Sequence, residues 1–96
     1  MHTAVRRYRV SDVDTLVSKV EEGFVPIVKG IDGFGGYWVL DGGGGILATI
    51  TVASEAGVEE SAQLAADWVR DNVADLIEER LDSTSGELKV SATPDG

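Results

Sequence analysis

Ninety-six residues with 17 acidic and 8 basic side chains carry a formal charge of −9, which repels phosphate backbones and argues against a nucleic-acid partner. There is no cysteine, which excludes disulfides and thiolate chemistry, and no apolar run approaches the roughly 20 residues of a membrane helix, so no membrane partner is expected. A chain this short buries only about 60–65% of its unfolded surface, so one domain that gains burial from a second copy, a homodimer, is expected.

The acids are spread along the chain, and Lys19, Lys29 and Lys89 are its only lysines. With plentiful Ala, Gly, Val and Thr, this profile resembles cytoplasmic proteins of salt-loving archaea, where molar salt screens the repulsion among carboxylates. An ordinary acidic mesophilic protein is the alternative. Met1–Arg7 lacks the apolar core of a signal peptide, so a cytoplasmic location is expected.

In chain order, the pattern spells strand, helix, strand, strand, helix, strand. Arg6–Val10 alternates, with Arg6, Tyr8 and Val10 on one face and Tyr8 and Val10 as the expected core pair. Ser11 is the expected N-cap of a first helix, with Asp14 as its capping-box partner. Val13, Leu16, Val17 and Val20 form the apolar stripe of that helix, and Gly23 is placed to end it in a left-handed conformation. Phe24–Gly36, with Pro26 and four glycines, reads as an ordered loop leading into a strand near Gly36–Leu40.

Asp41–Gly45 is the expected hairpin connection, and Ile46–Ala53 follows as a strand with no charge on either face. Both faces of that strand should be covered, one by helices and one by a second sheet or subunit. Val58–Leu81 is a long amphipathic stretch, with Val58, Ala62, Ala65, Ala66, Val69, Val73 and Leu76 in one arc. Asp82–Gly86 reads as a turn and Glu87–Ala92 as the last strand, with Leu88 and Val90 facing inward; Ser91–Gly96 is expected to fray. This order folds most simply as a small sheet with both helices on one face, an α+β domain with a core of about residues 5–90.

Motifs with definite chemistry are scarce. The glycine run Gly42–Gly45 joins two strands rather than a strand and a helix, so it is not a phosphate loop. His2 is the lone histidine and lies at a terminus, which disfavours a Ser-His-Asp triad, and no transition-metal ligand set or Ca²⁺ loop is present. No metal or cofactor is called for. The aromatics carry more information: Phe34, Tyr37 and Trp38 cluster before and within the second strand, Trp68 projects from the second helix near Ser61, Leu64 and Asn72, and Tyr8 lies on the first strand. Packed together they would line one mostly apolar ligand cavity, with Tyr8, Phe34, Trp38, Ser61 and Leu64 as its walls. Core or dimer contacts are the other use for such residues.

Two local patterns resemble a known family. Gly33-Phe34-Gly35-Gly36-Tyr37 is similar to the "GF-x-GY" lead-in to the second strand, and Glu60-Ser61 through Ala65-Ala66-Asp67-Trp68 to the "ES…AA-x-W" helix, of small antibiotic biosynthesis monooxygenase-like domains in the dimeric α/β-barrel superfamily. The resemblance, over roughly Val5–Val90, implies a ferredoxin-like βαββαβ fold. In it a four-stranded antiparallel sheet carries two helices on one face, and two such sheets close a barrel. It also implies that some relatives oxygenate electron-rich aromatic compounds with O₂, without metal or flavin, using Asn, Trp and Tyr side chains. Asn72, Trp68 and Tyr37 are then the candidate catalytic residues, with Asn72 holding a developing oxyanion. Relatives that cleave haem carry a ligating His on the second helix, and this helix has none. The rival class is a non-catalytic binding, regulatory or structural dimer module.

Overall fold

The alternating N-terminal segment becomes the strand around which the others assemble. The structure, a computed structural model that describes residues 1–94, begins with β1 (His2–Val10), which is paired along both edges. On one side it meets β3 (Ile46–Ala53), from His2 opposite Ala53 to Arg9 opposite Ile46. On the other it meets β4 (Ile77–Glu87), from His2 opposite Glu87 to Val10 opposite Ile77, with register shifts after Arg7 and Arg9. β2 (Gly36–Gly43) pairs with β3, and the sheet is antiparallel throughout in the order β2-β3-β1-β4. The expected α+β, ferredoxin-like order is therefore the observed one.

The N-terminal limit differs from the expected core at residue 5, because β1 is already paired at His2 and the Met1 carbonyl accepts from the Leu88 N–H at 2.9 Å. Pairing on both edges, together with the burial of Ala4 in the core, holds these residues. The expected fraying of Ser91–Gly96 concerns an exposed, irregular segment over 91–94; residues 95 and 96 lie outside the described part.

The first helix starts one residue later than expected. Asp12, not Ser11, is the N-cap of α1 (Val13–Lys19): its carboxylate accepts from the Thr15 backbone N–H at 3.1 Å and from the Thr15 hydroxyl at 2.7 Å. Ser11 turns away, its N–H donating to the Leu76 carbonyl. Thr15 hydrogen bonds hold the Asp12 carboxyl below its usual range. Its stabilisation is thus present above the unfolded carboxylate pKa and is lost as pH falls through the lower folded one. Asp12→Ala should lower the melting temperature at pH 7, and the deficit should shrink in thermal melts in the acid range.

Gly23 does not end the helix. It lies inside a π-helical turn, Val20–Phe24, that continues into α2 (Val25–Val28), and its φ is not positive. The expected loop over Phe24–Gly36 accordingly begins only after Val28. Pro26 sits in the first turn of α2, and the widened turn before it relieves its ring from the upstream carbonyl. The π turn also rotates Phe24 inward, so that it is buried with Leu16, Val20 and Val28.

The C-terminal half departs further. α3 (Glu55–Asn72) is capped by Ser54, whose side chain accepts from the Gly57 N–H at 3.0 Å, and ends at Asn72 rather than Leu81. A 3₁₀ turn, Ala74–Leu76, leads directly into β4. Asp82–Gly86, expected as a turn, is part of that strand, and Leu88 and Val90, expected to face inward, are 36% and 86% exposed. The free edge of β1 accounts for this: a nine-residue strand offers its hydrogen bonds to Ile77–Glu87, overriding the helical look of Ile77–Leu81. The α3 face is also rotated from the expected arc, with Ser61, Ala65, Trp68, Val69 and Val73 turned toward the core and Ala62 and Ala66 exposed.

All the helical elements lie on one face of the sheet. On it Leu47, Thr49, Thr51 and Ala53 of β3 are buried. The other face carries Val5, Ile50 and Trp38 in one cross-strand row and Arg7, Ala48 and Leu40 in the next, with no helix over it. Trp38 and Leu40 are 54% and 57% exposed there. Among the described residues no helix is long and apolar enough to cross a membrane.

Candidate functional site

Between the sheet and the helices the aromatic residues form a stack. The Phe24 ring, delivered by the π turn, lies 5.6 Å from the Tyr37 ring on β2 and 5.6 Å from the Trp68 indole on α3, tilted at 60° and 52°. Such tilted pairs suit the quadrupoles of the rings and fix their mutual orientation. Trp68 can approach this closely because Gly23 has no side chain; a Cβ there would sit 3.0 Å from the indole Nε1 and Cζ2.

Beside the stack lies a cavity of about 40 Å³, walled by Tyr8, Leu16, Val20, Phe24, Tyr37 and Trp68 and floored by Arg6, Leu47 and Thr49. A groove of about 190 Å³ adjoins it, sharing Arg6, Tyr8, Ala65, Val69 and Ile77, and reaches Arg80 and Ser83 on β4. Burial raises the Tyr37 hydroxyl well above its ordinary pKa, and burial raises Tyr8 too, opposed by Arg6 and Arg80. Both phenols are therefore neutral donors at physiological pH.

The structure brings only part of the expected set together. Tyr37, Trp68 and Tyr8 share the cavity. Asn72 does not reach it: its amide donates to the Trp68 carbonyl at 2.9 Å on the solvent side of α3, beside Lys19 and Glu22. Ser61 is fully buried, its hydroxyl donating to the Val58 carbonyl at 2.7 Å, and Leu64 and Phe34 pack against the core away from the cavity lining. Trp38 lies on the uncovered sheet face and borders a separate open groove between α1 and β2. Among the described residues no three His, Asp or Glu side chains converge as a metal site would require.

Two cavity residues were not anticipated. Phe24 opens the segment expected as a loop, and its helical spacing from Leu16 and Val20 is the one signal in the sequence that points it inward. Arg6 shares the inner face with Tyr8 and Val10, the expected core pair, and is itself buried, at 6% exposure, although charged residues seldom are.

No family model matches the chain, and no curated protein sequence matches it. Solved structures do. A protein of unknown function from Nitrosomonas europaea superposes with TM-score 0.72 at 18% identity, covering 99% of this chain and 95% of that one. A protein assigned as an antibiotic biosynthesis monooxygenase from Chloroflexus aurantiacus gives 0.69 at 17%, with 99% and 98% covered. The fold is that of the antibiotic biosynthesis monooxygenase-like proteins. A monooxygenase from Streptomyces coelicolor, solved with the ligand nanaomycin D, gives 0.70 at 16%, with 97% and 91% covered. Identities at this level speak for shared architecture, not shared chemistry.

Proposed function

We propose that the protein is a homodimer that binds a small aromatic molecule between sheet and helices, as a monooxygenase-like protein that needs no cofactor. The observation that carries the reading is the Phe24–Tyr37–Trp68 stack, which walls a cavity and leaves a groove leading to it. Apolar walls with a few polar groups are the usual make-up of a ligand site. The Streptomyces neighbour of the same fold, a monooxygenase, holds nanaomycin D. In the oxygenase form of this reading an activated phenol reacts with O₂; one oxygen atom enters the ring to give a quinone and the other leaves as water. Trp68 and Tyr37 shape the pocket. The oxyanion role considered for Asn72 requires its amide to leave the Trp68 carbonyl and turn toward the cavity.

A second reading, a non-catalytic binding module, is favoured by the small cavity, since about 40 Å³ holds little more than a water molecule. Oxygen uptake with a panel of phenols and quinols separates the two. Saturable uptake supports the oxygenase, whereas tryptophan quenching by the same compounds without uptake supports the module.

The homodimer is supported by the uncovered sheet face, where Val5, Ile50 and Trp38 form an apolar row. A second copy turned by a two-fold axis would cover it with the same residues. Ile50→Lys, at the centre of that row, should halve the mass measured by light scattering; a monomeric parent protein would contradict the dimer.

A further inference from the structure

Arg6 is a buried cation that lacks a counter-ion. It is 6% exposed, and among the described residues its guanidinium makes no ion pair and no side-chain hydrogen bond, although the chain carries 17 carboxylates. Arg7, its neighbour in sequence, points to the other face and is paired with Asp82. A guanidinium on a mostly buried side chain, with no anion beside it, is free to pair with an anionic ligand at the groove it lines.

The strand register supplies a second cation. Tyr8 is opposite Arg80 and Arg6 is opposite Ser83, so Arg80 and Ser83 sit on the inner face at the same level as the buried pair. All four line the groove of about 190 Å³, whose remaining walls are Ala62, Ala65, Ala66, Val69 and Ile77. Arg80 likewise forms no ion pair among the described residues. In a protein of charge −9, two unpaired arginines converging on one apolar groove make a local anion site with a hydrophobic wall. Size narrows the occupant, since an apolar cavity of about 150 Å³ accommodates benzene.

We infer that the groove takes a single-ring aromatic carboxylate, its carboxylate between Arg6 and Arg80 and its ring against Ala65, Val69 and Ile77. A guanidinium fork matches a carboxylate with two parallel hydrogen bonds, and Tyr8 and Ser83 can donate further ones. This rests on the aromatic-ligand reading above and adds the charge and size of the ligand to it.

Calorimetric titration with benzoate and with benzamide, its neutral counterpart, tests the inference on the intact protein. Benzoate is expected to bind at least about tenfold more tightly than benzamide, as a charge-assisted contact predicts. Arg6→Met should erase that preference, and Arg80→Gln, at an exposed position, should reduce it by about threefold. Arg6→Met is also expected to leave the melting temperature of the ligand-free protein unchanged or raised, because an apolar residue replaces an unpaired buried charge. Equal binding of benzoate and benzamide would overturn the anion site while leaving the aromatic pocket standing. A benzoate preference that survives both substitutions would also overturn it, and absence of binding by either compound would overturn both proposals.

Discussion

Trp68→Ala is expected to lose about 3 kcal/mol of unfolding free energy in urea melts, together with all response to aromatic ligands. The indole contributes on two sides: it closes the stack with Phe24 at 5.6 Å and covers the bare backbone of Gly23. Removing it leaves a void that the helices cannot close, because Gly23 has no side chain to fill it and the π turn fixes the backbone there. Domains of this size have about 5–10 kcal/mol in hand, so the variant should remain folded but melt early. Trp68→Phe, which keeps a ring against Phe24, should recover most of the stability and less of the binding. A Trp68→Ala protein as stable as its parent would mean that the stack is not part of the core.

The second large effect is expected at a residue with no side chain. A Cβ on Gly57 would lie 2.0 Å from the Asp32 carbonyl oxygen and 3.0 Å from the Ala53 Cβ. Neither neighbour is a flexible side-chain end that can swing aside, so Gly57→Ala must push the start of α3 away from the segment after α2. That segment is held by a compact set of bonds: the Ser54 N–H donates to the Asp32 carbonyl at 3.3 Å, and the Ser54 hydroxyl lies 2.6 Å from the Asp32 carboxylate. Gly33 (φ +63°), beside Ser54, keeps the turn there. Displacing α3 breaks this junction, and a loss of about 3 kcal/mol in urea melts is expected. Since the same helix carries Trp68, the cavity should loosen as well, and benzoate affinity should fall with stability.

Much of this architecture was legible because local and global preferences agree. Ile46–Ala53 alternates between glycines and a helix cap, and the strand occupies those same residues. Leu16 and Val20 stand on the face their spacing predicts. The glycines of 43–45 take positive φ in the hairpin, the conformation that the residue type permits.

The failures have a common physical form, in which long-range contacts overrule local punctuation. Gly23 and Pro26 read as a helix stop. Instead, Gly23 is small because Trp68 packs on it, and Pro26 is tolerated by the π turn. Ile77–Leu81 has helical character by itself, but the open edge of β1 recruits it into the sheet. At the site, Tyr8, Tyr37 and Trp68 could be named from residue type. Their arrangement depends on Phe24, whose inward position follows from that same π turn. Arg6 was visible on the correct face, yet its burial goes against the rule that charges stay outside, and such violations concentrate at sites of function.

The account turns on where an aromatic ligand lies, and the two tryptophans report on opposite faces of the sheet. Trp68 stands in the aromatic stack, while Trp38 is on the uncovered face. In a ¹⁵N-labelled sample their indole N–H groups give separate resonances, assigned by Trp38→Phe. Titration with the phenols and quinols of the oxygen-uptake panel should shift the Trp68 resonance, whose indole walls the cavity, saturably and leave that of Trp38 in place. A shift confined to Trp38, or none at either indole, would contradict a ligand site between the sheet and the helices.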